Sequence, residues 1–274
     1  MPADDQTIAA PDGTCLAVRV RGASPRFLFV HGLASNARLW DGAAEALAEN
    51  GYDSVAVDQR GHGRSDKPGH GFDFATLAED LATVVGEWGG PVVAVGQSWG
   101  GNVVLEFAAR HPELVSAVVC VDGGFIRLAD AFADREAMLE ALAPPRFEGL
   151  RRADLEAGMR ARLDGWPESG VAGQLANFED LPDGTVRSRL ARADHLEILR
   201  HLWDHDPDAL ADRVVAPILL IAVPGGMITK AERVAAFGAA HPGATVVWLE
   251  GDHDIHAQHP DVVADAILAF LEGR

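Results

Sequence analysis

A serine framed by glycines stands between an apolar run and a stretch of helical spacing. Residues 96–100 read GQSWG, the apolar run 91–96 precedes them, and helical spacing begins at Asn102. Small residues two positions either side of a serine allow a sharp strand-to-helix turn, because side chains do not fit there. Such a turn exposes the hydroxyl and aims the next backbone N–H at the same spot. The pattern predicts Ser98 as a nucleophile and the N–H of Trp99 as an oxyanion donor. The alternative is a glycine-rich turn with an exposed serine.

Acyl chemistry needs a second oxyanion donor, and an earlier loop offers one. The apolar run 27–30 ends in His31, Gly32 and Leu33. We expect the backbone N–H of Leu33 to point at the same oxyanion as that of Trp99. The alternative is a turn at the end of a strand, in which Gly32 only permits the bend.

A serine hydroxyl is a weak nucleophile until a base removes its proton, so a histidine is required. Of the 11 histidines, His253 is best placed, after the last apolar run and before the last helical segment. The alternative is a solvent-facing loop histidine. A metal site is a competing interpretation, because His256 and His259 continue the three-residue spacing. On a helix that spacing turns the first and third rings to different faces, so we predict no metal.

These residues need a scaffold, and short apolar runs alternate with helical segments along most of the chain. Continuous apolar runs suit strands covered on both faces, and the alternation predicts a mostly parallel sheet with helices on both faces. The predicted strands are 16–20, 27–30, 52–57, 91–96, 115–121, 217–223 and 245–249. The predicted helices are 39–50, 74–88, 102–110, 230–240 and 261–271.

The alternation is interrupted between residues 125 and 212. This stretch shows no strand pattern, only helical pieces at 130–142, 154–163 and 187–203, separated by proline and glycine. An insertion of this length is too long for a loop and should form its own layer. We predict a core domain of residues 1–124 and 213–274, with a helical cap of residues 125–212 over one edge of the sheet.

Four motifs in order give the chain a resemblance to the α/β-hydrolase family. They are His31-Gly32, residues 58–66 (DQRGHGRSD), residues 96–101, and a histidine seven positions before Pro260. The resemblance covers nearly the whole chain except the insertion, which matches the family's cap in position only. It implies a mostly parallel eight-stranded α/β-hydrolase sheet with the cap after the sixth strand. It also implies that residues 58–66 are a structural turn.

The acid that should orient the histidine is where the chain departs from the family pattern. In most members it follows the strand at 216–221, but Gly226 stands where the carboxylate should be. The strand at 115–121 ends in Asp122, and some members carry the acid there, including certain dehalogenases, lipases and cofactor-free dioxygenases. We therefore predict Asp122 as the acid, in the order Ser98, Asp122, His253. The alternative is an aspartate that caps a turn.

The resemblance implies a cofactor-independent serine hydrolase that cleaves an ester, a lactone or a related acyl substrate through an acyl-enzyme. Hydrolysis of a C–C bond and cofactor-free dioxygenation stay open as alternatives. So does a different class, a non-catalytic receptor or ligand-binding protein, which the missing acid at Gly226 would first suggest. Seven aromatic, histidine or methionine residues could line a substrate pocket, although such residues are more often core. They are Trp40, His62, Trp99, Trp166, Phe178, Trp203 and Met227.

Composition argues against two classes of partner, whereas the small acyl substrate is what the resemblance implies. The 274 residues include 23 Lys+Arg and 41 Asp+Glu, a net charge of −18, which disfavours nucleic acid and anionic membrane surfaces. The two cysteines, Cys15 and Cys120, are too few for a disulfide framework and fit a reducing compartment. No apolar run is long enough to span a membrane, and the first residues do not resemble a signal peptide. We therefore expect a cytoplasmic protein.

Overall fold

A mixed sheet forms the centre of the fold in the computed structural model, which describes residues 3–225 and 230–273. Within these residues its eight strands lie in the order β1-β2-β4-β3-β5-β6-β9-β10, antiparallel at β1–β2 and β2–β4 and parallel elsewhere. The strands are β1 Asp4–Ala9, β2 Cys15–Arg21, β3 Phe27–Val30, β4 Ser54–Val57, β5 Val92–Gln97, β6 Val115–Val121, β9 Ile218–Ala222 and β10 Thr245–Trp248. The predicted mostly parallel eight-stranded sheet is confirmed.

The apolar runs predicted the bounds of seven strands of this sheet to within two residues, and only β1 of this sheet was not predicted. β1 was not predicted because five of its six residues are exposed, so it has no apolar run. It is held as a hairpin against β2. The central strands are buried on both faces, as continuous apolar runs require; all four residues of β3 are fully buried.

Helices cover both faces of the sheet. α1 Asp41–Glu49 and α11 Pro260–Glu272 pack on one face, where Phe27 and Phe29 point. α2 Phe74–Gly86, α3 Trp99–Arg110 and α9 Ala231–Ala240 pack on the other, where Leu28 and Val30 point. α10 Ile255–Gln258 precedes α11. None of the helices in the described residues is both long and apolar enough to cross a bilayer.

Between β6 and β9 the chain forms five helices and a small β-hairpin, which we call the inserted segment (residues 125–212). Its elements are α4 Leu128–Ala131, α5 Arg135–Ala141, α6 Arg152–Arg162, α7 Glu168–Leu175, β7 Phe178–Asp180, β8 Val186–Ser188 and α8 Arg192–Asp204. A separate small core within it includes Leu155, Val171 and Val186. Its description as a cap domain separate from a core of residues 1–124 and 213–274 stays a prediction.

The expectation of no strand in the inserted segment was wrong. β7 and β8 pair antiparallel over three residues each, too short a span for the sequence to show a periodic pattern. Residues 181–184 (Leu-Pro-Asp-Gly) lie in the hairpin turn, which is closed by the Leu181 N–H donating to the Thr185 carbonyl at 2.8 Å. The predicted helix 187–203 therefore begins only at Arg192.

Candidate active site

Ser98 occupies the predicted turn, between the last residue of β5 and the first of α3. Its φ of 53° and ψ of −124° are strained for a residue with a side chain. A methyl group added at Gly96 would overlap the carbonyl of Gly100, and one added at Gly100 would overlap the carbonyl of His31. Ser98 donates its backbone N–H to the Val121 carbonyl at 3.0 Å, which ties the turn to the end of β6.

Asp122 and His253 meet across 131 residues of sequence. The ring Nδ1 of His253 lies 2.5 Å from Oδ2 of Asp122, whose side chain is 1% exposed. The other carboxylate oxygen accepts the backbone N–H of Val223 at 3.2 Å. With the hydrogen on Nδ1 donated to the carboxylate, Nε2 of His253 is free to act as a proton acceptor.

The surroundings of His253 shift its basicity in opposing directions. Desolvation lowers the pKa of His253, while the hydrogen bond with Asp122 and the negative charges of Asp254 and Asp122 raise it, leaving the pKa above its ordinary value. The side chain still has 48% of its surface accessible. The ring is therefore reachable by a substrate and readily stabilised as imidazolium.

The loop that carries Leu33 lies against the same turn. A methyl group added at Gly32 would overlap Oε1 of Gln97 and lie 3.1 Å from Cβ of Ser98. The side-chain amide of Gln97 donates to the His253 carbonyl at 3.0 Å. The loops after β3, β5, β6 and β10 therefore converge at one edge of the sheet. The assignment of the Leu33 and Trp99 N–H groups as oxyanion donors stays a prediction.

Two buried histidines support the Leu33 loop. His31 donates from Nδ1 to the Gly32 carbonyl at 2.7 Å and accepts the Gln59 N–H on Nε2 at 3.0 Å. His62 accepts the Ala34 N–H on Nε2 at 3.3 Å. Burial lowers the pKa of both rings, so the rings are neutral at ordinary pH and hold the loop through hydrogen bonds. Sequence analysis named His62 among the residues that could line a substrate pocket; the structure buries it beneath the Leu33 loop.

A link that sequence analysis missed joins the inserted segment to the residue after His253. Gln174 on α7 donates from Nε2 to Oδ2 of Asp254 at 2.7 Å. Asp254 could have been noticed as a second acid beside the histidine, but nothing in the sequence indicated that Gln174 would reach it.

The three spaced histidines face different surroundings. His256 is buried against Trp40, with ring centroids 4.2 Å apart, and burial lowers its pKa to about 4. His259 is exposed, whereas His253 is bonded to Asp122. In the described part of the chain no group of three or more side chains could hold a metal ion.

A cavity of about 950 Å³ lies in the inserted segment and reaches the loop after β3 at Ala34. Neither Ser98 nor His253 is among the described residues of its lining. Of the seven predicted pocket residues, Phe178 lines it, whereas Trp40, His62 and Trp99 are buried in the core. Trp166 and Trp203 pack against hydrophobic clusters. Met227, like Gly226, lies outside the described residues.

Comparison with known proteins agrees with this architecture. Residues 25–260 match the family described as alpha/beta hydrolase fold. The 2-(acetamidomethylene)succinate hydrolase of Mesorhizobium japonicum is 29% identical over 94% of this chain and 91% of its own length. An esterase of Mycobacterium tuberculosis is 28% identical over 96% of this chain and 88% of its own.

A solved structure is also similar to this chain over most of its length. The crystal structure of E-2-(acetamidomethylene)succinate hydrolase matches with a TM-score of 0.84 at 26% identity, covering 98% of this chain and 99% of that one. The two relatives and this solved structure bear the names of hydrolases or esterases. The fold, the converging loops and the match over most of the sequence place this chain in the α/β-hydrolase family.

Proposed function

We propose that the chain is a cofactor-independent serine hydrolase that cleaves an ester, a lactone or a related acyl substrate. The Ser98 hydroxyl attacks the carbonyl carbon while Nε2 of His253 takes its proton. Asp122 orients the imidazole and stabilises the imidazolium that forms. The N–H groups of Leu33 and Trp99 bind the oxyanion.

After the attack, His253 changes from base to acid and completes the acylation. His253 gives its proton to the leaving oxygen, which leaves the acyl group on Ser98 as an ester. A water molecule then attacks that ester, loses its proton to His253, and the acid product departs as the proton returns to Ser98.

One contact supports this proposal most strongly, the 2.5 Å hydrogen bond between His253 and Asp122. The contact joins a buried carboxylate to the accessible ring of a histidine from a distant loop. Oδ1 of Asp122 accepts the backbone N–H of Val223, which follows β9, so this acid lies between the ends of β6 and β9. Its φ of 43° is unusual for a non-glycine residue and marks a constrained position.

The first test removes the nucleophile. We expect Ser98→Ala to lower kcat on p-nitrophenyl butyrate by about 10⁴- to 10⁶-fold and to abolish covalent labelling by a fluorophosphonate probe. Ser24→Ala, at an exposed loop serine, is the matched control and should leave both unchanged. An unlabelled, folded wild-type protein would instead favour the non-catalytic binding role.

The second test concerns the acid. Asp122→Asn preserves the shape of the side chain but no longer holds the histidine with a charge, so kcat should fall by about 10³- to 10⁴-fold. Circular dichroism and thermal unfolding check that the variant folds. A folded Asp122→Asn protein with wild-type kcat would remove Asp122 from the mechanism.

Amide hydrolysis is a second candidate, favoured by the relative of Mesorhizobium japonicum, whose name specifies an acetamido compound. The same serine, base and oxyanion donors serve an amide, because His253 would protonate the leaving nitrogen. Matched p-nitrophenyl ester and p-nitroanilide substrates with the same acyl group distinguish the two. An anilide rate that approaches the ester rate would favour amide hydrolysis.

A further inference from the structure

The large cavity of the inserted segment adjoins the candidate active site through two of its lining residues. Ala34 follows Leu33, the predicted oxyanion donor. Gln174 donates to Asp254, the neighbour of His253. A molecule in the cavity would therefore have one end beside the loops that carry the nucleophile and base, and would extend away from them into the inserted segment.

The cavity concentrates positive charge in an acidic protein. The chain has 41 Asp+Glu against 23 Lys+Arg. The lining nevertheless contains four arginines and one carboxylate: Arg146, Arg162, Arg187, Arg192 and Glu148. A cationic recess in a molecule of net negative charge concentrates anions there and not over the rest of the surface.

Three of the four arginines lack an acidic partner. Arg187 pairs with Glu179. Among the residues that the structure describes, Arg146, Arg162 and Arg192 form no ion pair; Arg162 contacts the Met159 sulfur and Arg192 donates to the Pro144 carbonyl. Guanidinium groups bind carboxylates through paired N–H donors, so unpaired arginines around one cavity are suited to an anionic ligand.

The other walls are apolar and fit a carbon chain. Leu142, Phe147, Leu155 and Phe178 line the cavity beside the arginines. A site with apolar walls and a few placed charged groups binds a ligand with an apolar body and a charged end.

We infer that this cavity binds the acyl part of a substrate that carries a carboxylate, with Arg146, Arg162 and Arg192 as the carboxylate ligands. The bond to be cleaved would lie beyond Ala34, where Ser98 attacks. The assignment of the ligand as a substrate rests on the proposed function, whereas the carboxylate site itself does not.

Binding can be tested without turnover. We expect glutarate, titrated calorimetrically into the full-length Ser98→Ala protein at constant ionic strength, to bind at least tenfold more tightly than uncharged glutaramide. Arg146→Gln and Arg162→Gln should each weaken glutarate binding about tenfold, the loss of one charge-assisted hydrogen bond. Arg213→Gln is the matched control, because Arg213 is exposed and lies outside the described lining. Equal affinity for glutarate and glutaramide, or equal weakening by Arg213→Gln, would overturn the inference.

A turnover measurement separates this inference from the proposed function. p-Nitrophenyl hemiglutarate and p-nitrophenyl valerate have acyl chains of equal length that differ in a terminal carboxylate. We expect the wild-type kcat/KM ratio to favour hemiglutarate at least tenfold, and Arg146→Gln to reduce that ratio about tenfold while Arg213→Gln preserves it. Equal hydrolysis of both esters without glutarate binding refutes the inference and keeps the function. Glutarate binding with no hydrolysis of either ester refutes the function and keeps the carboxylate site.

Discussion

His253 has two carboxylates near it, and they act on it by different routes. Asp122 is buried and bonds the ring directly. Asp254 is the next residue in the chain, and its charge also raises the pKa of His253 while its side chain accepts from Gln174. Asp122 therefore contacts the ring, whereas Asp254 influences it through its charge and can be altered without breaking the Asp122 contact.

The charge of Asp254 predicts a change in the pH dependence of kcat/KM. Under the proposed mechanism the base form of His253 is needed for attack, so kcat/KM should rise with pH through a pKa above the ordinary histidine value. Asp254→Asn removes a negative charge that favours imidazolium, so the pKa should fall and the acid limb should move to lower pH. The measurement is kcat/KM for a neutral p-nitrophenyl ester across the acid limb.

Asp252→Asn is the matched control for that experiment. Asp252 flanks His253 on its other side, is exposed, and is not among the groups that shift the His253 pKa. An acid limb that moves equally in both variants, or in neither, would show that Asp254 has no specific influence.

Among the secondary-structure elements, α7 is the one that joins the inserted segment most closely to the site. A methyl group added at Gly170 would lie 2.5 Å from the Ala257 carbonyl oxygen on α10, and one at Gly173 would lie 3.0 Å from Leu39. Gly170 thus allows α7 to contact the helix that follows His253, and Gly173 allows it to contact the segment before α1. Their close contact, together with the Gln174–Asp254 bond, fixes the position of the cavity relative to the base.

Glycine substitutions test this packing. Gly170→Ala should lower the free energy of unfolding by about 1–3 kcal/mol, because the added methyl group forces α7 away from main-chain atoms. Gly158→Ala in α6 has open space around it and should raise stability by up to about 1 kcal/mol through helix propensity. Urea unfolding measures both. Two changes of the same sign would contradict the packing argument.

The same elements show why sequence analysis succeeded in part. Buried parallel strands have apolar runs, so β3, β5 and β6 were predictable, and the residues at their carboxyl ends could be expected to meet. β1 and the β7–β8 hairpin lack such runs. α7 contains two glycines that weaken a helical pattern and are explained only by what the helix touches.

At the site, sequence analysis selected candidate residues that are marked by their immediate neighbours in the chain. Ser98 is marked by the glycines around it, and Asp122 by its place after a strand. Gln174 and the cavity arginines carry no local mark, because their relation to the site arises from how the inserted segment packs on the core. A contact that arises only when two distant segments pack together cannot be predicted from the residues on either side of it in one sequence.

At the scale of the whole molecule, the site depends on contacts between distant parts of the chain. Asp122 and His253 are 131 residues apart, and Gln97 and His253 are 156 apart. Closing a contact between residues this far apart in sequence costs more chain entropy than forming a helix. Such contacts therefore form later than local helices.

During refolding, secondary structure should therefore form before the site becomes reactive. After dilution from urea, we expect far-UV circular dichroism to recover before the protein becomes competent for fluorophosphonate labelling. Ser98→Ala, which should never be labelled, controls for non-specific reaction. Coincident recovery of the two signals would mean that the long-range contacts form together with the helices.

The position of His253 beyond the last strand of the sheet also bears on synthesis. Under the proposed mechanism, a nascent chain that has emerged only as far as β9 already displays the glycine-framed hydroxyl, yet has no imidazole to activate it. Hydrolytic activity would then appear late and in one step, when His253 in the loop after β10 contacts Asp122 at the end of β6. A prematurely terminated product would be unable to hydrolyse a substrate.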